Sequence, residues 1–106
     1  MKTEGDIAAI RSNLGRRIRL LRESQELSQY TFARMIDLDR TYIIGVEKGR
    51  RNISIDNLCK IAGGLGISLS ELCDGVDNPQ SVARRRKLME ELLQENESSV
   101  SQQRNA

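Results

Sequence analysis

Three observations predict that this 106-residue chain folds as an all-α protein. Apolar residues recur at steps of three and four in successive segments. Ser, Asp and Gly stand where those segments start and stop. No segment shows the strict alternation of a strand.

Ile7, Ile10, Leu14, Ile18 and Leu21 share one stripe of a first helix, read as residues 7 to 23 and opened by Asp6, with Arg11, Arg16 and Arg19 opposite. Gly15 within it costs about 1 kcal/mol against Ala and points to a close helix crossing. Ser28 is placed to cap a short second helix holding Phe32, Ala33 and Ile36, ending near Asp37. Asp39 caps a third, Arg40 to Lys48, which Gly49 stops. The gap from Asp37 to Asp39 admits only a tight turn between angled helices. Ser54 opens a fourth helix, with Ile55, Leu58, Cys59, Ala62 and Leu65 as its apolar residues and Gly66 as its stop. Ser68 and Glu71 form a capping box ahead of Leu69 and Leu72 in a fifth.

Asp74 to Gln80 contains Asp, Gly, Asn and the lone Pro, and reads as a linker. It divides a domain at residues 1–75 from a tail at 76–106. Residues 81–97 have helix-forming composition with a narrow stripe of Val82, Met89, Leu92 and Leu93, and the polar residues 98–106 are expected to be disordered. On this additional C-terminal helix Arg84, Arg85, Arg86 and Lys87 precede Glu90, Glu91, Glu95 and Glu97. A dimerising or domain-packing helix, a second DNA contact and a solvated helix all fit that pattern.

At 38% hydrophobic content the chain can hold one compact domain with a modest core. Its apolar runs are too short and too broken by charge for a transmembrane helix or a signal-peptide core, which places it in the cytoplasm without a membrane partner. Cys59 and Cys73 sit among apolar neighbours and read as buried structural thiols. The absence of His excludes a nucleophile paired with a histidine base, and two soft ligands cannot complete a zinc site. No phosphate-binding loop or acid/base constellation is present either, so the chain is not expected to be an enzyme, to carry a cofactor or to hold a small-molecule effector.

Net charge is only +2, but Arg16 to Arg51 holds nine basic residues against five acidic ones. On the third helix Ile43, Val46 and Glu47 share one side, while Arg40, Thr41, Ile44, Gly45 and Lys48 share the other. The second face suits a major groove. Arg can pair with guanine N7 and O6, Thr can bond or touch a thymine methyl, Ile44 can meet that methyl, and Gly45 permits close approach. Lys48, Arg50, Arg51 and Asn52 crowd the end of the helix, where donors can grip phosphates, and Gln29 can do the same from the second helix. A scaffold-derived protein-interaction module is the competing reading, and fits the basic loop less well.

The residues Leu27-Ser28-Gln29, Phe32-Ala33 and the run Asp39 to Gly49 resemble the Cro/phage-repressor type of helix-turn-helix regulator, over residues 14 to 73. The resemblance implies a five-helix lambda-repressor-like domain. It carries base contacts onto Arg40, Thr41, Ile44 and Gly45, and phosphate contacts onto Gln29, Lys48, Arg50 and Arg51. It also implies a structural ion pair between Arg22 and Glu47, and a homodimer on a pseudo-palindromic DNA operator, with the interface at Leu69, Leu72 and their neighbours. The segment "DLDRTYIIGVEKGRRN" is most similar to restriction-modification controller proteins. Three positions depart from the family pattern: Asp37 stands where the turn usually has Gly, Thr31 where Glu is common, and Ile53 where Pro is common.

Overall fold

The computed structural model describes residues 2–78, 84 and 86–95. All of the regular structure among them is helical: α1 (Glu4–Ser24), α2 (Gln29–Met35), α3 (Arg40–Glu47), α4 (Ile55–Leu65), α5 (Leu69–Leu72) and α6, at residues 86–95. The predicted positions of Val82, Arg85 and Glu97, and of residues 98–106, lie outside the described residues.

α1 begins three residues ahead of the predicted start, because Thr3 and not Asp6 is its cap. The Asp6 backbone N–H donates to Thr3 Oγ1 at 3.2 Å and the Asp6 carboxylate accepts from the Thr3 backbone N–H at 2.9 Å, which closes a reciprocal capping box. Those hydrogen bonds from Thr3 hold the Asp6 carboxyl below its ordinary range. Glu4 and Gly5 carry no apolar periodicity, so the stripe could not reveal this first turn. The predicted caps Ser28, Ser54 and Ser68 each accept from the backbone N–H three residues on. Asp39 occupies the cap position of α3 without making that bond. Glu71 meets the Ser68 hydroxyl at 3.0 Å.

Phe32, Ile18, Ile43, Ile61, Leu72 and Val46 are fully buried and form the centre of one core shared by the first five helices. On α4 the buried residues are Ile61, Ala62 and Leu65, with Leu58 half-buried. Ile55, in the first turn, is 63% exposed, and Cys59 faces solvent. The expectation that both thiols are buried is therefore corrected: Cys73 is half-buried, where desolvation pushes its pKa up, and Cys59 is open to solvent. Leu72 is also corrected as an interface residue, since its side chain is consumed by its own core.

Contacts distant in sequence lock α1 to the end of the domain. Arg17 Nε donates to the Leu72 carbonyl at 2.9 Å and Arg17 Nη2 to the Glu71 carbonyl, satisfying acceptors that the short α5 leaves open at its C-terminus. Asn13 Nδ2 donates to the Val76 carbonyl at 2.9 Å, and the Val76 side chain is buried, so core packing runs one residue past the expected domain end at residue 75.

The turn between α2 and α3 reverses at Asp37, whose φ of 55° lies in the left-handed region that Gly favours. Asp tolerates that conformation better than most residues, and the Leu38 backbone N–H donates to the Ala33 carbonyl at 2.9 Å to close the turn. α3 crosses α1 at Gly15. A Cβ there would stand against the Val46 carbonyl and 2.7 Å from that of Glu47. The missing side chain thus sets how closely the two helices approach.

A candidate nucleic-acid interface

α3 is anchored through one face and free on the other. Ile43 and Val46 are buried in the core, whereas Arg40, Thr41 and Lys48 are exposed and Ile44 and Gly45 half-buried. Arg50, Arg51 and Asn52 are exposed just beyond. Gly49 makes the exit from α3 possible: its φ is 74°, and a Cβ there would press against Ser12 Cα at 2.9 Å.

Glu47 lies on the anchored side. Its carboxylate accepts from Arg22 Nε and Nη2, both at 2.8 Å, and the two side chains are 3% and 8% exposed. The hydrogen bonds from Arg22 to Glu47 hold the guanidinium above the ordinary arginine range, so the arginine remains charged. Arg22 Nη1 also donates to the Leu27 carbonyl at 2.7 Å. One charged pair therefore fastens α1, the approach to α2 and the end of α3. These two charges are occupied within the protein.

Gln29 is half-buried, and its Nε2 donates to Glu47 Oε1 at 3.2 Å. This side chain is thus tied to the buried pair through one of its two amide hydrogens. Gln29 lines a cleft with Arg19, Ser28, Tyr30 and Arg40. Arg19 is bridged to Glu23 at 2.8 Å, an exposed pair one helical turn apart. The cleft, which Arg22 also lines, places the exposed guanidinium groups of Arg19 and Arg40 beside the start of α2. The sequence places Arg19 only on the face of the first helix opposite its apolar stripe and does not single out Tyr30, since nothing local shows that both line one cleft.

Tyr42 is a second residue that sequence reasoning missed. It is half-buried, its hydroxyl accepts from Asn57 Nδ2 at 3.1 Å, and Arg51 lies over its ring at 5.6 Å. The Arg51 side chain also crosses Gly45, where a Cβ would come within 2.9 Å of its Nε. Gly45 therefore makes room for an arginine of its own chain, and Tyr42, Gly45 and Arg51 form one packed unit on the outer face of α3. The signal was an aromatic residue on α3 within a ring's reach of the basic loop. A two-sided helical wheel left it between the faces.

The arrangement presents the Arg40 side chain and the Thr41 hydroxyl on the exposed face of α3, flanked by a basic loop and backed by a fixed core. That chemistry is of the kind a helix brings to a major groove, where side-chain donors can meet base edges and phosphates. Among the described residues, no helix is long and apolar enough to cross a membrane, and no cluster of His, Cys, Asp or Glu could hold a metal ion.

Comparison with known proteins agrees with this geometry. A helix-turn-helix family model matches residues 18–72, more than half of the 106-residue chain. Control protein C.MunI from Mycoplasma sp is 49% identical over 69 residues, covering 64% of this chain and 93% of that protein. The crystal structure of the restriction-modification controller protein C.AhdI from Aeromonas hydrophila is 46% identical, with a TM-score of 0.57, over 57% of this chain and 92% of that one. The controller protein C.Esp1396I, solved as a tetramer in complex with its natural 35 base-pair operator, is 31% identical with a TM-score of 0.58, over 64% of this chain and 93% of that one. With caps, core and outward-facing α3 in agreement, the chain belongs to the helix-turn-helix family of DNA-binding transcription regulators, and resembles its restriction-modification controllers.

Proposed function

We propose that this protein is a cytoplasmic, non-enzymatic regulator that binds double-stranded DNA as a homodimer on a pseudo-palindromic operator. The observation that carries the reading is the exposed face of α3, where Arg40 and Thr41 project from a helix whose other side is buried. Arg40 reads a guanine edge bidentately, Thr41 bonds a base or touches a methyl, and Ile44 adds an apolar contact to thymine. Gly45 keeps the helix surface low and seats Arg51. Lys48, Arg50, Arg51 and Asn52 hold phosphates on one side, and Gln29 on the other, with Arg19 close by. Stacking on Tyr42 pre-orders Arg51, which reduces the side-chain entropy lost on binding.

One module touches few base pairs, so useful specificity requires two on half-sites about one helical turn apart. Operator-bound oligomers of C.Esp1396I support that reading. A titration of duplex binding against salt tests it. Log affinity should fall linearly with log salt, at a slope of about 0.9 per neutralised phosphate, summing over the basic side chains engaged. No duplex binding at low salt would defeat the proposal.

A further inference from the structure

α6 exposes an apolar face that its own domain does not cover. Leu88, Met89, Leu92 and Leu93 are 54–59% exposed, and at 3.6 residues per turn all four fall on one side. Leu88 joins three residues of the predicted stripe and widens it. A helix of this length is marginal in water without a packing partner. Its charges weaken it further: Arg84, Arg86 and Lys87 stand at the N-terminal end and Glu90, Glu91 and Glu95 towards the C-terminal end, the reverse of what the helix dipole favours. The pattern therefore serves something outside the helix.

We propose that α6 pairs with α6 of a second copy of this chain, antiparallel, about a two-fold axis near Glu90 and Glu91. In that register Leu88 and the second copy's Leu93 share one level along the seam, and Met89 and its Leu92 the next, so the apolar face closes on itself. Charge complementarity selects the direction. Antiparallel packing sets the basic first half of each helix beside the acidic second half of the other, with Arg84 and Glu95 on the same flank and within reach across the seam. Parallel packing sets the basic ends together and the acidic ends together. The contact is isologous, each copy giving and receiving the same pairs. It goes beyond operator reading, and supplies an interface that Leu72, buried in its own domain, does not.

The test uses the full-length chain and its mass in solution across concentration. Leu92→Glu should weaken self-association by tenfold or more, with domain melting unchanged because the residue is exposed. Arg84→Glu should weaken it several-fold, and adding Glu95→Arg should restore it. Unchanged self-association in Leu92→Glu would overturn the proposal, as would failure of the charge swap to restore pairing. Lowered domain melting at unchanged mass would also overturn it, because α6 would then pack on its own domain. Binding of the wild-type chain to a single half-site duplex is scored separately, so a failure of operator reading is distinguishable from a failure of this interface.

Discussion

Replacing Glu47 with Ala is expected to destabilise the domain by about 3–5 kcal/mol, the usual cost of stranding one member of a buried ion pair. Arg22, 8% exposed in the intact protein, would keep its bond to the Leu27 carbonyl and the Glu23 carboxylate at 3.9 Å but lose both 2.8 Å hydrogen bonds to Glu47. A guanidinium stays protonated at any ordinary pH, so Arg22 cannot escape the penalty by losing its proton. Denaturant unfolding checks this: the midpoint should fall with little change in slope. The double replacement Arg22→Met with Glu47→Leu should recover most of the loss, since an apolar pair of similar volume avoids desolvating two charges. A cost below about 1 kcal/mol for Glu47→Ala would mean that the pair behaves as a screened surface bridge.

Gly15→Ala sets two effects of opposite sign against each other. Helix propensity favours the alanine by about 1 kcal/mol. The new methyl, however, would press on the carbonyls of Val46 and Glu47, and backbone at the end of α3 has no rotamer with which to retreat. Overpacking typically costs about 1–3 kcal/mol, so the steric term wins and α3 is pushed from α1. Thermal unfolding should show a lower Tm. Duplex affinity should fall as well, because Lys48, Arg50 and Arg51 are carried on that displaced end. A Tm at or above that of the unsubstituted protein would show that the crossing is looser than described.

What could be read in the sequence was what is local. Ser28, Ser54 and Ser68 announce their helices because a cap acts on the backbone three residues away. Gly15 could be recognised as a crossing because Gly in a helix interior is otherwise a loss. The bonds from Arg17 to Glu71 and Leu72, and from Asn13 to Val76, join residues more than fifty positions apart, and no spacing rule reports them. The Arg22–Glu47 pair was implied only by family resemblance, for the same reason. Cys59 was misplaced because apolar character and helical spacing do not say which residues of α4 the core takes. Asp6 was read as a cap because a first turn of Glu4 and Gly5 gives no apolar signal. At the interface, exposure of Arg40 and Thr41 followed from the wheel, whereas Tyr42 became part of the site only through Asn57 and Arg51, which lie on other segments.

The outward face of α3 is the centre of this account, and Arg40 is its leading residue. Selection of bound duplexes from a randomised pool, run with the unsubstituted protein and with Arg40→Ala, tests it most directly. The unsubstituted protein should enrich a pseudo-palindrome. Arg40→Ala should lose preference at one base pair in each half-site, at a cost of about 1–3 kcal/mol per site. An unchanged sequence preference with uniformly weaker binding would contradict the account, and would make Arg40 a phosphate contact.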